Sequence, residues 1–175
     1  TYSDCTVTVT DAANNPSSAL AVSAFTVDTT APTTTVAIAN TTYDATTWNA
    51  PNTIAGTAAD ATTSVSGVEI SIQRGTDNNY WNGTDWSSIA EVWNSASGTT
   101  SWTFSMDKTN LSDGTTYTVK ARATDAARNV TSTGFGSDTF TYTGITSTPT
   151  VSASRITVSG NTGTSANTFK NGDTV

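Results

Sequence analysis

Histidine is missing from this chain altogether, and cysteine and methionine occur once each in 175 residues. Without histidine, the side chain that most often serves as general base and as neutral metal ligand is unavailable. No glycine-rich phosphate loop is present, and no Ser or Cys has a recognisable activating partner, so a non-catalytic protein is expected. Cys5 has two readings. It is a small buried hydrophobe, the favoured one, or half of a disulfide whose partner lies outside this sequence. Basic residues are also scarce, seven Lys and Arg against fourteen Asp and Glu, giving a net charge of −7. A phosphate-binding face needs clustered cations, so nucleic acid and anionic membrane surfaces are not expected partners. Acidity suits divalent cations instead. No apolar run approaches the ~20 residues of a membrane-spanning helix, so no membrane insertion is expected in this segment. Charged residues make up only 12% of the chain, which argues against charge-driven disorder.

What fills the sequence is Thr, Ser, Asn and Gly, with aromatic residues interspersed. Thr is β-branched and favours pleated, half-exposed strands, so the fold class is all-β. The stretch Val27-Asp28-Thr29-Thr30-Ala31-Pro32 reads as a seam, because Pro32 lacks an N–H and biases Ala31 towards extended geometry. A new first strand, Thr33 to Ala39, follows it. An internal repeat supports the seam. Tyr2 through Asp11-Ala12-Ala13-Asn14-Asn15 matches Tyr117 through Asp125-Ala126-Ala127-Arg128-Asn129, and Phe25-Thr26-Val27-Asp28 matches Phe140-Thr141-Tyr142-Thr143. Three segments follow: residues 1–31, the last strands of one domain and a linker; 32–144, a complete domain; and 145–175, the first strands of another. The chain opens in one strand and closes in another, which predicts a window from a longer protein.

Within 32–144, period-two alternation places strands at Thr33–Ala39, Thr53–Ala58, Gly67–Gln73, Glu91–Trp93, Ser101–Met106, Tyr117–Ala123 and Phe135–Tyr142. Asn79 to Trp86 reads as a tight hairpin with a type I′ turn at Asn82-Gly83. Leu111 followed by a turn and Tyr117 has the pattern of a tyrosine corner. Seven or more short strands in this length point to a β-sandwich.

The seam Asp-Thr-Thr-Ala-Pro, the run Ile54-Ala55-Gly56-Thr57-Ala58-Ala59-Asp60 with Ser66-Gly67-Val68, the Tyr80-Trp81-Asn82-Gly83 hairpin with Trp86, and Ala123-Thr124-Asp125-Ala126-Ala127-Arg128-Asn129 together resemble bacterial immunoglobulin-like (Ig-like) repeats. Such repeats are strung along large secreted or cell-surface proteins, adhesins among them. The resemblance implies tandem Ig-like β-sandwiches at an extracellular location, with neighbouring Ig-like domains as partners and a cell-surface or matrix molecule as ultimate ligand. It implies a spacer, stalk or filament element. Fold transfers well on such a likeness and function does not.

In an Ig-type topology the loop holding Asp60, the loop holding Asp125 and the linker holding Asp28 meet at one pole. Three carboxylates at one pole predict a structural Ca²⁺ site, with Asn129 or linker carbonyls completing its shell. The alternative is that each Asp only caps its own turn. The next seam has Thr143 where the first has Asp28, so it is expected to lack this site. Trp81 and Trp86 could form a glycan-stacking surface, although packing in the core or hairpin is the favoured reading. A third possibility is a self-assembling fibre or sheath subunit built by strand complementation between copies.

Overall fold

The structure, a computed structural model, describes residues 1–48 and 53–144. The chain divides into two units, Thr1–Gly144 and Ile145–Val175, and every described residue belongs to the first. The expectations for segment 145–175 therefore lie outside the described residues.

The first unit is all-β. Its strands are β1 (Thr6–Val7), β2 (Leu20–Ala21), β3 (Thr33–Ala37), β4 (Thr42–Asp44), β5 (Thr53–Ala59), β6 (Val65–Arg74), β7 (Asn94–Ser95), β8 (Ser97–Gly98), β9 (Ser101–Ser105), β10 (Thr115–Asp125) and β11 (Gly136–Thr143). Besides the two-stranded sheet β1-β2, one sheet has the order β4-β11-β10-β6-β7 and another β3-β5-β9-β8, and these last two form the body. Both contribute to a single core that includes Ile54, Ala58, Trp102, Ile70, Ile72, Tyr117, Val119 and Phe140. This arrangement is consistent with a β-sandwich.

Alternation explains which residues enter that core. In β10 the odd positions from Thr115 to Asp125 are buried and the even ones between them are half-buried or exposed. Lys120 and Arg122 lie on the outer row, where they pair with Glu91 and Glu69, and the Arg122 guanidinium sits 4.4 Å from the centroid of the Trp93 ring. In β5 the inward row is Ile54, Gly56 and Ala58. Both rows run out into an aspartate at the same end of the body. Asp125 closes the buried row of β10, and Asp60 stands one step beyond that of β5.

The hydroxyl of Tyr117 accepts the backbone N–H of Ser112 at 2.7 Å, which makes the tyrosine corner. Tyr117→Phe should therefore cost about 1 kcal/mol, the usual net value of one such bond. Urea unfolding with an unchanged slope would show it; an unchanged midpoint would mean that the loop is held by packing alone.

Two expected features differ. Residues 79–86 form no two-stranded hairpin: Tyr80 makes isolated bridges to Gln73 and Ser88. Nor is the turn type I′. Gly83 has φ +98°, but Asn82 is absent from the residues of positive φ. The Asn82 carboxamide oxygen accepts the N–H groups of Thr84 and Asp85, and the Asn82 backbone N–H donates to the Asp85 carbonyl at 3.0 Å, so side chain and backbone together close the turn. Glu91–Trp93 is irregular, and the strand begins only at Asn94. The short strand β4, which runs parallel to β11 through Thr141↔Thr42 to Thr143↔Asp44, is not marked by any alternation.

The loop of the N-terminal hairpin repeats the bonds of the β10–β11 loop, although β1 and β2 pair over a much shorter span than β10 and β11. Asp11 N–H donates to the Asn15 carbonyl at 3.0 Å, as Asp125 N–H does to Asn129 at 3.1 Å. Asn15 and Asn129 each return a backbone N–H to the aspartate carboxylate, at 2.9 and 2.8 Å. The Ser17 hydroxyl accepts from Val9 N–H as the Thr131 hydroxyl accepts from Ala123 N–H. Even the aromatic pair recurs: Tyr2 stacks on Phe25 at 5.3 Å, and Tyr117 on Phe140 at 5.2 Å. The environments differ. Tyr2 and Phe25 are 54% and 45% exposed, whereas Tyr117 and Phe140 are 0% and 1% exposed. Cys5, on the same hairpin, is a free, half-buried thiol.

Candidate metal centre

Three separate stretches of sequence bring Asp28, Asp60 and Asp125 together. Antiparallel pairing of β3 with β5 sets Thr33 against Ala59, so the linker before β3 lies beside the residue that follows β5. The buried Thr34 hydroxyl crosses between the sheets to the Ala121 carbonyl at 2.7 Å, fixing β3 against β10. The buried Thr131 hydroxyl donates to the Pro32 carbonyl at 2.8 Å and secures the seam itself. With these elements fixed, each of the three aspartates offers a carboxylate oxygen within 4.8 Å of the other two. Two oxygens on opposite sides of a Ca²⁺ ion are separated by roughly 4.6–5.2 Å, so the span fits that ion.

Each carboxylate also caps its own turn. Asp28 Oδ1 accepts Thr30 N–H, Asp60 Oδ1 accepts the N–H groups of Thr62 and Thr63, and Asp125 Oδ1 accepts Asn129 N–H. Capping and convergence are thus both present, and they are compatible, because a carboxylate carries about four acceptor sites. Asp28 Oδ2 takes the Thr63 hydroxyl at 2.7 Å, and Asp125 Oδ2 takes the Asn129 amide at 2.8 Å. That leaves Asp60 Oδ2, a buried oxygen on a half-buried residue, with no hydrogen-bond partner among the described residues. An ionised oxygen shut off from both water and donors is costly, and a cation would satisfy it. Among the described residues, the ion pairs are Arg74–Asp77, Lys120–Glu91 and Arg122–Glu69, and none of them reaches the three aspartates. The donor set is all-oxygen, anionic and hard. It fits Ca²⁺.

Asn129, expected to complete the shell, also acts as a brace. Its side-chain nitrogen donates to Asp125 Oδ2 and, at 3.2 Å, to the Asp28 carbonyl, so it braces the linker against the loop. Sequence reasoning missed Thr63. Its place three residues after Asp60 is a readable turn signal, but its reach to Asp28 depends on the fold.

Electrostatics keep the site anionic. The Thr63 and Thr62 N–H groups hold the Asp60 carboxyl below the usual 3.8, outweighing the desolvation that pushes it up. For Asp125, burial pushes the carboxyl up and the Asp60 charge adds to this. The Asn129 side-chain and backbone N–H groups together outweigh both, and the net shift is downward. Because their folded-state values are depressed, these groups contribute stability above their unfolded value of about 3.9, and that stability is lost as pH falls through the lower folded values. The chain has no histidine to titrate near neutrality. The melting temperature should therefore be flat from about pH 5 to pH 8 and fall below about pH 4. A step near pH 6 to 7 in a pH series of thermal melts would contradict this assignment.

Trp81 and Trp86 are 6% and 8% exposed. Their rings pack on each other at 5.3 Å, Trp86 packs on Tyr117 at 5.2 Å, and the Trp86 indole N–H donates to the Asn110 carbonyl. Neither ring presents a face on which a sugar could stack; both complete the core.

No family model and no curated protein matches this chain. No helix among the described residues is long and apolar enough to cross a membrane.

Proposed function

We propose that this chain is a non-catalytic segment of a tandem Ig-like protein of the cell surface, a spacer or stalk whose first joint is stiffened by Ca²⁺. The observation that carries this reading is that Asp28 lies on the linker, while Asp60 directly follows β5 and Asp125 ends β10 in the two-sheet body. A cation bound by all three would tie the linker to the domain that follows it. The hairpin of residues 2–27 is read as the closing hairpin of a preceding repeat, because it reproduces the β10–β11 hairpin in its loop bonds and its aromatic stack. Extracellular modules of this kind bind Ca²⁺ with dissociation constants of about 10⁻⁴–10⁻³ M, which suits an extracellular location. The test is ¹⁵N relaxation of the whole chain with Ca²⁺ and then with EGTA. Hairpin and body should tumble more nearly as one with Ca²⁺ than without it; identical relaxation in both conditions would remove the joint-stiffening role.

A second reading, assembly by strand complementation between copies, is favoured by one observation. The Tyr2–Phe25 pair has the geometry of a core pair and lies exposed. Sedimentation that depends on concentration and is abolished by Phe25→Ser would support it, and a monomer at all concentrations would refute it.

A further inference from the structure

The three aspartates are not equivalent. Asp60 and Asp125 are built into the body by strand ends, whereas residues 26–32, which carry Asp28, belong to no strand. A ligand on such a segment must lose conformational freedom before it can bind, and that loss weakens the site unless the segment is already held. Thr63 supplies the hold. Its hydroxyl donates to Asp28 Oδ2 at 2.7 Å, while its backbone N–H donates to Asp60 Oδ1 at 2.8 Å. One residue therefore fixes a linker carboxylate and a loop carboxylate in relation to each other. The other contacts on Asp28 do less for its carboxylate: Thr30 N–H is local to the linker, and Asn129 reaches only the main-chain carbonyl. The oxygen left over in this arrangement is the buried, unpartnered Asp60 Oδ2, on the carboxylate whose other oxygen Thr63 holds.

We infer that Thr63 is the positioning residue of the cation site, presenting the linker carboxylate of Asp28 to an ion shared with Asp60 and Asp125. The inference rests on the Ca²⁺ reading above and adds that the site is assembled before the ion arrives. Thr63→Val removes the hydroxyl, with its 2.7 Å bond to Asp28 Oδ2 and its long 3.5 Å contact with Asp60 Oδ1, and keeps the shape and the backbone N–H that Asp60 Oδ1 accepts at 2.8 Å. A charge-assisted hydrogen bond of this type corresponds to about tenfold in affinity or more.

The experiment is calorimetric titration of the whole chain with CaCl₂ after chelation, for wild type, Thr63→Val, Thr63→Ser, Asp28→Ala and the Asp28→Ala/Thr63→Val double variant. Thr63→Val should weaken binding about tenfold, and Thr63→Ser, which keeps the hydroxyl, should restore it to within about threefold. In the Asp28→Ala background, Thr63→Val should have no further effect, an outcome that general loosening of the loop would not produce. Equal affinities for wild type and Thr63→Val, or equal losses with and without Asp28, would overturn the role of Thr63 and leave the cation site standing. Absence of Ca²⁺ binding by wild type would overturn the site itself. Should Thr63→Val not fold, a tenfold loss in Thr63→Ser would also count against the inference.

Discussion

Adding Ca²⁺ to the chelated protein at about 100 times its dissociation constant should raise the melting temperature by about 10 °C, and Asp28→Ala should abolish the rise. The magnitude follows from linkage: saturation to that degree adds about 2.7 kcal/mol to the folded state. For a body of this size, each kcal/mol is worth roughly 3–5 °C. Asp28 is the cleanest residue to remove. Asp125 is 1% exposed and braces its own loop, so its loss would destabilise the body whether or not an ion binds. Among the described residues Asp28 has side-chain bonds to Thr30 and Thr63, and its removal also relieves repulsion among three close carboxylates. In EGTA, then, Asp28→Ala should melt within a few degrees of wild type. The difference between the two proteins should appear only with Ca²⁺.

The second large effect is expected far from the aspartates, at Gly56. This residue sits in the inward row of β5, between the β3 backbone and the fully buried indole of Trp102. A Cβ at this position would stand 2.0 Å from the Thr35 carbonyl oxygen and 2.4 Å from Cζ2 of Trp102. An indole in a looser core would yield, but this one is 1% exposed and held on all sides. The carbonyl belongs to the strand paired with Gly56 through Val36↔Gly56. Relief would require β3 to move away from β5, and the position of Asp28 beside Asp60 depends on that pairing. Ordinary overpacking costs about 1–3 kcal/mol, and a collision with backbone belongs at or above the top of that range. Gly56→Ala should therefore lose at least about 3 kcal/mol in chemical denaturation and weaken Ca²⁺ binding as well. A loss below about 1 kcal/mol would mean that the two strands are not held as closely as described.

Much of this was legible in the sequence where local pattern and tertiary demand agree. Period two placed the strands that became β5, β6 and β10, and the repeated Asp-Ala-Ala-x-Asn loop marked a hairpin loop that is now seen twice in the same bonds. The gathering of Asp28, Asp60 and Asp125 could be anticipated because it depends on which loops share a pole, a property of topology and not of side-chain detail. Legibility ended where a side chain had a choice of partner. Asn82 could support a type I′ turn or cap the following amides, and it caps them. Asn129 was expected only as a ligand, and the use of its amide nitrogen as a donor to Asp125 and to the linker was not read. Trp81 and Trp86 could face solvent or the core, and the large area of an indole favours burial when the core has room. The strand β4 was unreadable because three residues paired in parallel to an edge carry no periodicity of their own.

The most direct test of the central claim is an anomalous difference map from crystals of the whole chain grown with a lanthanide in place of Ca²⁺. The account predicts a peak enclosed by Asp28, Asp60 and Asp125, bonded to Asp60 Oδ2 and lost in Asp28→Ala crystals. Ordered carboxylates with no peak between them would contradict it, and the three aspartates would then be turn caps at a joint held by hydrogen bonds alone.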